Sequence, residues 1–102
     1  GDIRKTTLCG GGAKSPLWRK VIANVLGIPV ARPVTEEGPA YGGAMLAMVA
    51  CGEFSSVEEA ADALTGVRSV EQPDPVLVRA YDDRYAIFVR LYPALKETFR
   101  LF

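Results

Sequence analysis

Twelve lysines and arginines balance twelve aspartates and glutamates over 102 residues, so the chain lacks the basic surplus with which a nucleic-acid binder holds a phosphate backbone. Histidine is absent and the two cysteines, Cys9 and Cys51, match no metal spacing, which removes the commonest general base and any zinc framework. At 49% hydrophobic and 24% charged the composition is that of one globular domain, and the longest apolar run, Ala40 to Gly52, is too short to span a bilayer.

Ile3 to Cys9, IRKTTLC, is short and rich in β-branched residues, as a strand would be. Gly10, Gly11 and Gly12 end it. Ser15 suits an N-cap, its hydroxyl accepting from a free N–H of the first turn, and Pro16 suits the first helical position, where no N–H is needed. Leu17, Trp18, Val21, Ile22, Val25 and Leu26 then recur at helical spacing, which assigns Trp18 to the core, Arg19, Lys20 and Asn24 to solvent, and Gly27 to the C-cap. IPVARPV (Ile28–Val34) reads as a second short strand, its two prolines marking it as irregular or as an edge.

After the loop TEEGP, a helix from about Pro39 to Cys51 is apolar on nearly every side, which predicts burial. Gly42 and Gly43 inside it each cost about 1 kcal/mol against alanine and predict a close approach of its backbone to a neighbour. Ser56 and Glu59 form a capping box for a third helix carrying Val57, Ala60, Ala61 and Leu64. Asp74-Pro75 opens the last helix by the same cap-then-proline pattern. Its packing stripe runs through Leu77, Tyr81, Tyr85, Phe88, Leu91, Tyr92 and Leu95, and Pro93 should kink or restart it. The apolar flanks of Cys9 and Cys51 make both expected reduced core thiols of a cytoplasmic protein. About two short strands among several helices are too few for a self-sufficient sheet. The chain therefore reads as the end of a larger α/β domain, and its abrupt opening at Gly1-Asp2-Ile3 fits a missing upstream part.

A strand, a glycine turn and a helix N-terminus together form an anion site, because backbone N–H groups converge there and the helix dipole adds partial positive charge. A tight turn that binds nothing would have the same sequence. A Walker A loop would need glycine immediately before Lys14 and again five residues earlier, and those positions hold Ala13 and Leu8. A dinucleotide fingerprint would use Gly10, Gly12 and a third glycine where Ser15 stands, with Glu36 or Glu37 on the ribose. A non-enzymatic helical interaction module, its glycines only turning the chain, is the third reading.

The words GGGAKSPLW, ANVLGIPVARP and EEGPAYGGAMLA, in that order, with the tail LYPALKETF, resemble the C-terminal part of the FGGY carbohydrate kinases, the xylulokinase branch most closely. The resemblance runs from about Leu8 to Phe99. It implies an actin-like, ribonuclease-H-like ATPase fold, in which two domains close over a cleft and ATP lies mostly against the C-terminal one. Residues 1–102 would then be part of that nucleotide-binding domain. Carried over by residue, Gly10, Gly11 and Gly12 form the turn that meets adenosine and phosphates, Gly11 foremost. Lys14 could attract phosphate charge. Ser15 stands where the family often has an asparagine near the nucleotide.

The family's activity is transfer of a phosphoryl group from ATP, with Mg²⁺, to a sugar hydroxyl, here most nearly D-xylulose to D-xylulose 5-phosphate. Its catalytic aspartate, its sugar contacts and its metal ligands come from earlier segments, so no catalytic or metal residue is assigned here. The implied partners are ATP and, through a sugar-binding domain outside these residues, the sugar. No nucleic acid and no membrane is expected, and the first strand's open edge could pair with a second copy.

Overall fold

Three short strands and five helices make up the structure, a computed structural model that describes residues 1–35 and 37–102. Strand β1 is Thr6–Thr7, β2 is Val30–Pro33 and β3 is Val67–Glu71, in the spatial order β1-β2-β3. β1 and β2 are parallel, with Thr6 opposite Val30. A parallel pair needs a crossover, and helix α1, Pro16–Leu26, supplies it. β3 runs antiparallel to β2, and the register shifts between Arg32 and Pro33, where proline can donate no ladder bond. The remaining helices are α2 (Gly38–Ala50), α3 (Val57–Leu64), α4 (Pro75–Phe88) and α5 (Leu91–Phe99).

The helix ends follow the cap chemistry read from the sequence. Trp18 N–H donates to Ser15 Oγ at 3.2 Å, with Pro16 in the first turn. Gly27 closes α1 at φ 68°, a left-handed conformation that favours glycine, and its N–H donates to the Ala23 carbonyl. Val76 N–H donates to Asp74 Oδ1 at 2.9 Å at the start of α4. The chain breaks at Val89 and Arg90, and Pro93 falls in the first turn of α5, where it restarts a helix as expected.

At α3 the capping box is displaced by one residue. Glu59 N–H donates to Ser56 Oγ at 3.1 Å, but the Glu59 carboxylate accepts from Ser55, from its backbone N–H at 2.9 Å and from its hydroxyl. The Ser55 hydroxyl, then its N–H, hold the Glu59 carboxyl below its ordinary value of 4.5. The unfolded chain thus takes up the proton at higher pH than the folded one, so the contact stabilises above about pH 4.5 and is lost as pH falls through the lower folded value. In thermal melts, Ser55→Ala is expected to lower the melting temperature slightly at pH 7, and the difference from wild type is expected to shrink as the pH is lowered below 4.5. A difference that does not shrink at all on acidification would show that the carboxylate has no part in it.

Several sequence expectations change. The strand expected over Ile3–Cys9 contracts to Thr6–Thr7, and a third strand, β3, joins the expected two. Arg19 and Asn24, expected to face water, are 7% and 4% exposed, whereas Trp18, expected in the core, is 54% exposed. Helix α1 is rotated so that its small and polar side, with fully buried Ala23, meets the sheet and α4. Asn24 Oδ1 accepts the Asp74 N–H at 2.7 Å, which bonds α1 to the start of α4.

Helix α2 is the largest departure. Met45 is its one buried residue, and an added Cβ at Gly42 or Gly43 would meet nothing within 4 Å. The close approach expected there is therefore not made to any described residue. One bond holds the helix to α3, from the Tyr41 hydroxyl to the Leu64 carbonyl at 2.7 Å. Most of the stripe of α4 and α5 is also exposed, Tyr81 being half-buried; Tyr85 stacks on Phe88, and the tilted rings of Tyr92 and Phe99 lie 6.3 Å apart. Cys9 and Cys51, expected in the core, are exposed free thiols. The radius of gyration is 19.2 Å, against about 13 Å for a compact chain of this length. No helix among the described residues is long and apolar enough to cross a membrane.

Candidate functional site

β1 delivers the chain to the glycine turn from the edge of the sheet. Leu8 N–H donates to the Ala31 carbonyl at 2.9 Å, which carries the pairing to β2 one residue beyond the strand. Gly10 then turns the chain at φ 88° and ψ −174°, a region that essentially only glycine adopts. Residues Gly11–Lys14 form one turn of 3-10 helix, with Ala13 N–H donating to the Gly10 carbonyl at 3.1 Å and Ser15 N–H to the Gly12 carbonyl at 3.2 Å. Ser15 then caps α1. Two helical starts thus follow each other within six residues.

The sequence points to five residues: Gly10, Gly11, Gly12, Lys14 and Ser15. They lie together on this bend. Gly10, Gly11, Gly12 and Lys14 are exposed and Ser15 is half-buried. The Gly11 and Gly12 N–H groups open the 3-10 turn and find no acceptor among the described residues. An added Cβ at Gly10 or Gly11 would meet nothing within 4 Å, so the chain is uncrowded on that side at these two residues. Behind Gly12 stands the indole of Trp18, 3.3 Å from where a Cβ would lie. Ser15 Oγ is engaged as acceptor for the Trp18 N–H but keeps its own O–H to donate.

Two residues that the sequence reading sent to solvent prove to belong to the bend's support. Arg19 Nη1 donates to the Ala13 carbonyl at 2.6 Å, and Arg19 Nε lies 3.5 Å from Glu71 Oε1. Asn24 fixes α1 to the segment just after β3. Of the two acidic candidates for a ribose, Glu37 is exposed at the start of α2, and Glu36 lies outside the described residues. Among the described residues no cluster of three or more Cys, Asp or Glu side chains could hold a metal ion.

Comparisons with known proteins point one way. Residues 1–51 match the FGGY family of carbohydrate kinases, C-terminal domain. A xylulose kinase from Staphylococcus epidermidis is 30% identical over 96 residues, which is 94% of this chain and 19% of that protein. An autoinducer-2 kinase from Escherichia coli is 39% identical over 84 residues, 80% of this chain and 16% of that protein. The crystal structure of a xylulose kinase from Rhodospirillum rubrum superposes with a TM-score of 0.76 at 29% identity, over 95% of this chain and 20% of that one. The chain spans a fifth or less of the length of the relatives it matches.

Proposed function

Because this chain belongs to the FGGY family of carbohydrate kinases, as its C-terminal domain, with the actin-like fold of its structural neighbours, we propose that residues 1–102 form one wall of an ATP cleft. The rest of the cleft and the sugar site would come from the family's other segments. Gly10, Gly11 and Gly12 meet the nucleotide in this reading, Gly11 most closely. Lys14 adds positive charge toward the phosphates, and Ser15 can donate its hydroxyl. Bound ATP supplies the phosphoryl group that passes to a sugar hydroxyl, and Mg²⁺ would arrive with its phosphates.

One observation carries this proposal: the amides of Gly11 and Gly12, both exposed residues just before the N-terminus of α1, lack acceptors among the described residues, and the Cβ side of Gly11 is open. Oriented N–H groups backed by a helix dipole favour an anion, and missing side chains let a phosphate or ribose approach the backbone. The neutral chain leaves no large field to repel a nucleotide. ADP or ATP is expected to slow hydrogen exchange at the amides of residues 10–15 in the full-length protein, and NAD is not. Protection by NAD alone would favour a dinucleotide site, and protection by neither would remove the nucleotide reading.

The sugar is D-xylulose in this proposal, phosphorylated to D-xylulose 5-phosphate. The likeness to two xylulose kinases, one of them over 95% of the chain in three dimensions, supports it. An autoinducer-2 kinase is a competing relative, and a turnover assay of the full-length protein run with both substrates separates the two. The protein is cytoplasmic on this reading, where ATP and sugar phosphates are made and used.

A further inference from the structure

Resting on the reading of residues 10–15 as a nucleotide wall, we propose that Arg19 is a positioning residue that holds this bend in its binding geometry. The 3-10 turn satisfies the carbonyls of Gly10 and Gly12 through the N–H groups three residues later. The same rule would give the Ala13 carbonyl the N–H of Pro16, which proline does not have. Ala13 is fully buried, so its carbonyl has no water to turn to. An orphaned buried carbonyl loses its hydrogen bonds to water and gains none in return. Arg19 Nη1 takes the place of the missing amide at 2.6 Å.

The other end of the guanidinium faces β3. Arg19 Nε lies 3.5 Å from Glu71 Oε1, in ion-pair range, and makes no hydrogen bond. Glu71 is itself set by pairing with Val30 of β2, the strand that also carries β1. The bend is thus fixed from two sides. β1 feeds it through the backbone, and β3 braces its far end through Glu71 and Arg19. Rotation of the Ala13 peptide would swing the Gly11 and Gly12 amides with it, because the three residues share one helical turn. Arg19 touches no part of the open face and acts only through Ala13.

The test is a split between two Michaelis constants in the full-length protein. Arg19→Met combined with Glu71→Gln removes the donor while leaving no carboxylate without its cation. It is expected to raise the KM for ATP about tenfold, the equivalent of losing one charge-assisted hydrogen bond, with the KM for sugar unchanged. Exchange of the Ala13 and Ser15 amides without nucleotide is expected to accelerate by a similar factor. Arg19→Lys, whose single ammonium cannot serve Ala13 and Glu71 together, is expected to raise the ATP KM about threefold and stands alone if the double variant does not fold. An unchanged ATP KM overturns the proposal, as does an equal rise in both constants, which would mark general damage. The wild type separates the two layers. If ADP fails to protect Gly11 and Gly12 there, the nucleotide reading itself has failed and Arg19 has nothing to position. If ADP protects wild type and variants alike, only the role of Arg19 falls.

Discussion

Gly11→Val is expected to raise the KM for ATP by about a hundredfold in the full-length protein and to leave its melting temperature unchanged. The structure separates the two effects. A Cβ on Gly11 would meet no atom within 4 Å, and the residue lies in an ordinary 3-10 turn, so the folded chain accepts a side chain there without strain. The branched side chain would instead fill the open space beside Gly11, where the proposed nucleotide would approach. Losing two hydrogen bonds to a charged phosphate, at about 1.5 kcal/mol each, corresponds to roughly a hundredfold in affinity.

Gly10→Val is the informative contrast. Gly10 also has open space around its Cβ, but its φ of 88° is one that a β-branched residue rarely adopts. Strain of about 1–3 kcal/mol is expected there, so Gly10→Val should lower the melting temperature as well as weaken ATP. The sugar KM serves as the control for both variants. An ATP KM for Gly11→Val equal to that of the wild type would mean that the nucleotide does not approach this turn.

The parts of the fold that were legible in the sequence are those decided within one helical turn. Ser15-Pro16, Gly27, Ser56 and Asp74-Pro75 each set a helix end through a bond to a residue at most four positions away, and each does so in the structure. β3 was missed because nothing local announces it. Residues Val67–Glu71 become a strand only by pairing with β2, more than thirty residues earlier in the chain. The rotation of α1 was missed because periodicity counts apolar residues, and the face that α1 buries is made of Ala23, Asn24 and Arg19. One signal could have found Arg19: a proline three residues after Ala13 leaves a carbonyl needing a donor, and a long cationic side chain lies one turn further on.

The bend of the candidate site was legible for a different reason. Three successive glycines between a strand and a capped helix turn the chain, and the bend they form is local. What could not be read was their support, which comes from Glu71 at the far edge of the sheet. Helix α2 shows the opposite error. Apolarity on every side reports what a helix surface would bury, not whether the same chain supplies the cover. Leu46 and Met48 lie exposed, as do Phe88, Tyr92 and Phe99 on α4 and α5.

Residues 1–102 made alone are therefore expected to give no detectable phosphorylation of xylulose at any ATP concentration. Phosphoryl transfer to a hydroxyl needs in-line positioning of both reactants, a cation on the phosphates and a carboxylate to take the hydroxyl proton. The bend at Gly10–Ser15 contributes backbone amides and the Lys14 side chain, and none of its own residues is acidic. Positioning alone is worth several powers of ten, so a chain that holds one reactant from one side loses turnover altogether and does not merely slow. The exposed faces of α2, α4 and α5, and the free edge of β1, give the same preparation a second expected behaviour. Its apparent mass in light scattering should rise with concentration, beginning with pairing through β1. Coupled ADP release measured on this chain decides the first point. Sustained turnover would place the proton acceptor within these residues and overturn the division of labour proposed for the cleft, whereas silence here with activity in the full-length protein would locate the acceptor and the sugar contacts outside them.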